Sequence, residues 1–251
     1  MKPRRGDTDW VTHGIEGEDE PMLKELRRDV WAANMELVRA GLVVLTWGNV
    51  SGIDRRRGLV VIKPSGVDYG SLKPEHLAVV DLDGTLVEGK LNPSVDAPTH
   101  LVLYRAFKDI GGITHAHSVH ATAFAQACRE LPCLGTTHAD HFFGAVPLAR
   151  ALTAREVRED YVGNTGRVIV ERFKGIDPME MPAVLVAHHG PFTWGKDAMD
   201  SVKNNIALET VARMAIGALA LNARIPAIPK HILNKHYKRK HGPNATYGQN
   251  G

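Results

Sequence analysis

Short apolar runs bounded by turn residues place the strongest limit on what this chain can fold into. Runs of five or six residues rich in Val, Ile and Leu are typical of buried strands and are too short for most helices. In the first half of the chain they are L-V-V-L-T (42–46), G-L-V-V-I-K (58–63) and L-A-V-V-D-L (77–82). These runs predict a β-sheet built from short strands.

Segments with helical spacing flank these runs and alternate with further strands. Apolar residues recur at helical spacing over 21–40 and 197–221, and Thr153 and Glu156 match a capping box that starts another helix. The remaining predicted elements are helices from near Pro98 and Ser118 and strands at G-I-T-H-A-H, A-V-P-L-A and M-P-A-V-L-V-A-H-H-G. We find no internal repeat, so we predict one α/β domain in which helices flank a central sheet.

Composition fits a single globular domain and excludes several other classes. The chain has 251 residues, 43% of them hydrophobic and 24% charged, which is typical of neither disordered nor fibrous proteins. Its 31 basic and 28 acidic residues give no reason to expect nucleic acid or a membrane as partner. Lacking a secretory signal and a membrane-length apolar run, it is predicted to be cytoplasmic. Residues 1–20 lack periodicity and predict a flexible arm before one domain over 21–251.

The motif T-H-A-H near the middle of the chain is the first sign of chemistry. Residues i and i+2 of a strand face the same side, so His115 and His117 direct two imidazoles to one point, as a metal requires. A third imidazole is available at His188 or His189, and a carboxylate at Asp96. Three imidazoles and one carboxylate suit a divalent metal such as zinc. Ordinary surface or core histidines are the alternative interpretation.

The stretch K-P-S-G at the end of the second run is similar to a small phosphate-binding turn. Lys63 supplies a cation, Ser65 a hydroxyl and Gly66 an amide that an anion can approach closely. An ordinary turn is the alternative, because the Walker A pattern is absent. No G-x-G-x-x-G occurs either, so a nicotinamide cofactor is not expected.

The C-terminal tail is basic. After Glu209 the chain has seven Lys and Arg and no acidic residue. The simplest interpretation is a solvated helix face. The alternative is an anion-binding surface to which His236, His241 and Tyr247 contribute.

Eight blocks along the chain are similar to those of the class II aldolase/adducin superfamily and, within it, of its 4-epimerases. They are T-W-G-N-V-S, V-I-K-P-S-G-V-D-Y, D-A-P-T-H, T-H-A-H-S-V-H-A-T, G-T-T-H-A-D, H-G-P-F-T-W-G-K, K-H-Y-K-R-K-H-G and Y-G-Q. The resemblance implies a layered α/β/α fold with a central, mainly antiparallel sheet. It also implies metal-dependent epimerisation at C4 of a ketopentose phosphate, from L-ribulose 5-phosphate to D-xylulose 5-phosphate.

The resemblance further implies roles for individual residues. The implied metal-site residues, for one zinc or alternatively manganese per subunit, are Asp96, His115, His117 and His189. The positions that match phosphate and substrate contacts are Asn49, Lys63, Ser65, Gly66 and Ser94. Asp140 and Tyr247 match the acid/base pair. Tyr247 is implied to arrive, together with His236, from a neighbouring subunit of a four-fold homotetramer.

Four positions depart from the epimerase pattern. Val95 replaces the second serine of the family, so one phosphate hydroxyl is missing, and Val119 stands where the compared epimerase has arginine. His141 and His188 replace an aromatic and a small residue. The epimerase therefore has two enzymatic alternatives, a metal-dependent aldolase and a 4-epimerase of another, possibly unphosphorylated, ketose. A non-catalytic domain like the adducin head is expected to lack the metal-binding histidines that this chain keeps.

The chemistry of C4 epimerisation explains why such residues are needed. The C4 proton of a 2-ketose is not adjacent to the carbonyl, so its direct removal is unfavourable, and no nicotinamide motif supports oxidation and re-reduction. The remaining route is retro-aldol cleavage of C3–C4, rotation of the aldehyde fragment and re-formation of the bond on its other face. This route needs a Lewis acid, an acid/base group on each face and contacts that retain the phosphorylated fragment.

Overall fold

One sheet forms the centre of the fold, as seen in a computed structural model that describes residues 20–242 and Ala245. Its strands are β1 Asn49–Asp54, β2 Leu59–Ile62, β3 Ala78–Asp81, β4 Leu86–Glu88, β5 Gly112–His115, β6 Leu148–Ala149, β7 Ala183–Val186 and β8 Pro191–Gly195. They lie in the order β4-β3-β2-β1-β5-β8-β7-β6. All neighbouring strands are antiparallel except β6 and β7, so the expected mainly antiparallel sheet is confirmed.

Helices cover the sheet on both faces. They are α1 Glu20–Arg39, α2 Ala97–Ala106, α3 Val119–Gln126, α4 Thr136–Ala139, α5 Ala154–Arg172, α6 Ala198–Leu221 and α7 Lys230–His241, with short 3-10 turns at Tyr69–Ser71 and Pro74–His76. The predicted helices over 21–40 and 197–221 are confirmed to within one residue at each end. The capping box is present as well, since Thr153 and Glu156 each accept the other's amide N–H through their side chains.

The two core layers follow from alternation along the strands. Val60 and Val80 pack with residues of α2 and α5 on one face of the sheet. Their sequence neighbours Val61 and Val79 pack with residues of α1 and α6 on the other face. Successive side chains of a strand point to opposite faces, so continuous apolar runs fill both layers. The predicted α/β/α layering is confirmed.

Glycines in register set the position of α6 on the sheet. Gly52 pairs with Gly112, which in turn pairs with Gly195. A Cβ at Gly112 would lie 2.4 Å from backbone atoms of Asp197 and Ala198, where α6 begins. Because these three glycines have no side chains, the start of α6 can lie directly on β1, β5 and β8.

The predicted strand at 42–46 is wrong. These residues form a turn in which Leu45 has a φ of 56° and the amide of Trp47 donates to the carbonyl of Val44 at 3.1 Å. The strand lies later, over β1, where the chain pairs with both β2 and β5. Pairing partners outweigh the apolar character of the run, because strand preference depends on neighbours.

Parts of both chain ends lie outside the described residues. The predicted arm falls, apart from Glu20, outside the described residues, and so does Tyr247. None of the described helices combines the length and apolarity that a membrane span requires.

Candidate functional site

A single cavity of about 350 Å³ gathers the residues that the sequence assigned to metal and substrate. All nine line it: Asn49, Lys63, Ser65, Gly66, Ser94, Asp96, His115, His117 and His189. They come from β1, from the ends of β2 and β5, and from the loops before α2 and after β7. The other lining residues are Thr46, Trp47, Gly48, Pro64 and Val95.

The end of β5 brings two imidazoles together. His115 is the last residue of the strand, and its Nδ1 donates a hydrogen bond of 2.9 Å to the carbonyl of Pro191. The lone pair of this ring therefore sits on Nε2, which lies 3.1 Å from Nε2 of His117. Two nitrogens on a tetrahedral zinc are about 3.3 Å apart, given Zn–N bonds near 2.0–2.1 Å. The geometry of the pair therefore fits a shared cation.

The third imidazole is His189 rather than its neighbour His188. Ligand atoms of His115, His117 and His189 lie within 4.8 Å of one another. The ring of His188 instead faces Cys128, with Nε2 3.4 Å from the thiol sulfur. Nδ1 of His189 is buried and has no hydrogen-bond partner among the described residues, so this ring has an unsatisfied polar atom that calls for a ligand or water.

Protonation favours metal binding at this cluster. Burial lowers the pKa of His189 to about 3, with further lowering by His115 and His117. Burial also lowers the pKa of His117, and His115 adds to the effect. Both rings are therefore neutral near pH 7, which is the form that binds a metal.

Asp96 lies in the same cavity, held by Asn49. The Asn49 amide Nδ2 donates to Oδ2 of Asp96 at 2.7 Å and to Oγ of Ser94 at 3.0 Å. Burial raises the pKa of Asp96, but His115, His100 and the Asn49 hydrogen bond outweigh it, and the net pKa is below its usual value. Asp96 is thus ionised, although it is not part of the tight imidazole group. Its role as fourth ligand stays a prediction.

Lys63 gives the cavity a buried cation. Its side chain is 2% exposed, and Nζ lies 3.3 Å from the Pro64 carbonyl and 4.6 Å from the centre of the Tyr69 ring. Burial lowers the pKa of Lys63, which indicates an ammonium group with too little counter-charge. Ser65 and Gly66 follow at the exposed turn, where Gly66 has a φ of 67°. This arrangement suits an anion such as phosphate.

The two valine departures differ in their relation to the cavity. Val95 lines it and is 66% exposed, so a serine at this position would present its hydroxyl to a ligand. Val119 is 68% exposed at the start of α3 and is not among the lining residues. The neighbouring Ser94 is buried, and its hydroxyl accepts from Asn49.

Asp140 and His236 contact each other but do not line this cavity. Asp140 follows α4, and its Oδ1 accepts a hydrogen bond of 3.0 Å from Nδ1 of His236 on α7. Arg239 and His241, which the sequence analysis did not link to Asp140, contact its carboxylate and its carbonyl. Neither Asp140 nor His236 is among the described residues that line the cavity. Asp140 and His236 are therefore not brought to the metal cluster within one chain.

Two residues near the cluster were quoted in the sequence blocks without a role. Trp47 lines the cavity, with its ring centre 6.4 Å from that of His117. His100 is fully buried, with Nδ1 2.7 Å from Oγ of Ser51, and burial lowers its pKa to about 3. The sequence did contain a signal for His100. This residue ends the D-A-P-T-H block, four residues after the predicted metal-site residue Asp96. Trp47 was missed because the segment before it was predicted to be a strand.

The fold and this histidine cluster define a class of protein. Residues 28–216 match the family model described as Class II Aldolase and Adducin N-terminal domain, and the chain belongs to this family. The family is metal-dependent, and the cluster of three imidazoles could hold the ion. The resemblance drawn from the sequence blocks is therefore confirmed.

Close relatives carry a more particular name. Proteins of Salmonella paratyphi B and Salmonella typhi, both named L-ribulose-5-phosphate 4-epimerase UlaF, are each 53% identical to this chain over 227 residues. The match covers 90% of this chain and 100% of each relative.

Solved structures show the same fold. An L-fuculose 1-phosphate aldolase has a TM-score of 0.72 at 25% identity, covering 86% of this chain and 95% of that one. The L-fuculose 1-phosphate aldolase of Glaciozyma antarctica has a TM-score of 0.71 at 18% identity over 88% of this chain and 83% of its own, which supports the fold alone.

Proposed function

We propose that this chain is a metal-dependent isomerase that converts L-ribulose 5-phosphate to D-xylulose 5-phosphate by retro-aldol cleavage and re-addition. The observation that carries this function is the shared cavity, which three convergent imidazoles and the buried Lys63 line together. Its volume of about 350 Å³ is in the range of small-molecule sites. The names of the relatives support the same substrate.

One divalent ion per subunit, zinc or alternatively manganese, is proposed to bind His115, His117 and His189, with Asp96 facing it. When bound, the ion supplies Lewis-acid stabilisation of negative charge on the ketose oxygens during cleavage. The protein prepares the site by keeping the rings of His117 and His189 neutral and by fixing Asp96 through Asn49. Asp96 also supports an epimerase over an aldolase, because the aldolases that the chain resembles have a glutamate base at this position.

The turn that follows β2 is proposed to hold the phosphate. Lys63 supplies the positive charge, while Ser65 and the amide of Gly66 supply short-range hydrogen bonds. After cleavage of C3–C4 the aldehyde fragment carries the phosphate, so these contacts keep it in place while it rotates. An enzyme that lost hold of the fragment would release two products and act as an aldolase.

Asp140 and Tyr247 are assigned the acid/base roles on opposite faces of C4. Because Asp140 and His236 are hydrogen-bonded within one chain, a subunit that offers His236 to a neighbouring cavity also offers Asp140. We therefore propose that the enzyme is a closed homotetramer whose cavities each receive these residues and Tyr247 from the adjacent subunit. Closed rings are the usual outcome of such head-to-tail contacts.

The test is incubation of metal-loaded protein with L-ribulose 5-phosphate in D₂O, followed by ¹³C and ³¹P NMR. The expected product is D-xylulose 5-phosphate without deuterium at C4, because retro-aldol cleavage leaves the C4–H bond intact. Deuterium at C4 would instead mean proton abstraction and overturn the mechanism. The double variant His115→Ala, His117→Ala, which should lose the metal by elemental analysis, is the matched control.

A class II aldolase is the second candidate, and the likeness in fold to an L-fuculose 1-phosphate aldolase favours it. Accumulation of dihydroxyacetone and glycolaldehyde phosphate in the same experiment would identify this activity. Parallel incubation with unphosphorylated ketoses would identify a 4-epimerase of another ketose, since turnover would then be faster without the phosphate.

A further inference from the structure

Helix α6 holds the carboxylate of Glu209 against the first turn of α3. Oε1 accepts the amide N–H of His120 at 2.9 Å and its ring Nδ1–H at 2.7 Å. Oε2 accepts the amide N–H of Ala121 at 2.9 Å. The Glu209 side chain is only 15% exposed, and no sequence motif marked it. The contacts join parts of the chain that are 88 residues apart.

The Glu209 carboxylate takes the place of a local N-cap. The first turn of a helix has unpaired amides and a partial positive charge, which a carboxylate satisfies. Ser118 is of a favoured capping type and precedes α3, yet its side chain forms no cap hydrogen bond. Burial raises the pKa of Glu209, but the amides of Ala121 and His120 outweigh burial and hold the pKa below its usual value. Glu209 is therefore ionised near neutral pH.

This turn lies next to the metal cluster. Only one residue separates α3 from His117. On the other side of the motif, Oγ1 of Thr114 in β5 lies 2.7 Å from Oγ of Ser201, which is also on α6. Helix α6 thus contacts the chain both before His115 and after His117. Neither contact touches the cavity, because neither Glu209 nor Ser201 is among its described lining residues.

We propose that Glu209 is a positioning residue for the metal site, which keeps the ring of His117 directed at His115 and His189. The inference rests on the metal site of the proposed function. A ligand that is already in place costs less ordering when the ion binds. Partners that orient metal ligands typically change metal affinity by about 10–100-fold when they are replaced.

The test is a Co²⁺ titration of metal-free protein, followed through the visible absorption of the bound ion. Glu209→Gln keeps the shape but removes the charge, so the dissociation constant should rise about tenfold or more. Glu156→Gln is the matched control, because Glu156 also caps a helix but contacts Arg150 and Thr153 instead. The Co²⁺ dissociation constant of Glu156→Gln should stay within about twofold of the wild-type value, because this residue orients no part of the metal site.

A second readout separates positioning from general stability. In a His117→Ala background, Glu209→Gln should leave the remaining Co²⁺ affinity unchanged, whereas a general loss of stability would lower it in both backgrounds. Unchanged affinity in folded Glu209→Gln overturns the inference and leaves the proposed function intact. If circular dichroism shows that this variant is unfolded, Glu209→Asp, which is too short to reach both amides, gives the same decision. Failure of wild-type protein to bind Co²⁺ overturns the metal site and the inference together.

Discussion

Arg239 on α7 holds Asp140 by two hydrogen bonds, from Nε to Oδ1 at 3.2 Å and from Nη2 to Oδ2 at 2.8 Å. Burial raises the pKa of Asp140, but the hydrogen bonds from Arg239 and His236 outweigh it and hold the pKa below its usual value. The carboxylate is therefore ionised and able to accept a proton. The same carboxylate also fixes α7 on α4. The proposed acid/base role of Asp140 and the position of α7 therefore depend on one side chain.

Replacement of Asp140 by Asn should lower turnover by about 10²–10⁴-fold while metal content stays normal, because general acid/base groups contribute about that much. Steady-state kinetics and elemental analysis on the same preparation measure both quantities. Arg239→Gln is the matched control, since it weakens the attachment of α7 but keeps the carboxylate. Equal losses in the two variants would mean that Asp140 acts only through the position of α7.

Val95→Ser should restore selectivity for phosphorylated substrate. A hydroxyl that bonds a charged group contributes about 1.5–3 kcal/mol, so KM for the sugar phosphate should fall about tenfold or more. KM for the corresponding free ketose should change little. Val119→Ser, at the other exposed valine, serves as control. Equal effects of Val95→Ser on both substrates would show that position 95 does not face the phosphate.

Acid should destabilise the fold through His138. Burial lowers the pKa of this ring to about 4, with His141 adding to the effect, although its hydrogen bond to the Gly144 carbonyl opposes it. In the unfolded chain the His138 ring has a pKa near 6.5, so it binds a proton at a higher pH than the folded protein does. The stabilising contribution of this neutral ring is therefore complete above pH 6.5 and is lost as the pH falls towards 4.

Urea unfolding measures this effect at pH 7 and pH 5. Wild-type protein should lose about 2 kcal/mol more over this interval than His138→Gln, whose amide can still donate to Gly144. His231→Gln, at an exposed position of α7, should behave like wild type. An equal loss in wild type and His138→Gln would contradict the assignment.

Mixed oligomers should test whether the tail acts between subunits. The proposed homotetramer assigns Tyr247 to the cavity of the adjacent subunit. His117→Ala and Tyr247→Phe chains should each be inactive alone, but activity should return after they are dissociated and reassembled together. Some interfaces then pair an intact metal cluster with an intact tyrosine. Mixed oligomers that form and stay inactive would show that Tyr247 does not act in trans.

Local patterns predicted much of the fold and failed where pairing decides. Periodicity predicted α1 and α6, and side-chain chemistry predicted the capping box at Thr153. The apolar run at 42–46 became a turn. By contrast, β1, in which four of the six residues of N-V-S-G-I-D are polar or glycine, became a strand between two others. Strand formation depends on backbone partners that lie far away in the chain, so the apolar run misled.

The sequence by itself determined which groups were available: the paired histidines of T-H-A-H, the cation and hydroxyl of K-P-S-G, and the carboxylate of Asp96. These follow from residue type and from spacing along a single element. Only the tertiary structure decided that Lys63 and His189 line one cavity, that His188 turns instead to Cys128, and that Asp140 is held on α7. The order of strands in the sheet and the course of the loops set these relationships. Both arise from packing between distant segments, which local spacing does not record.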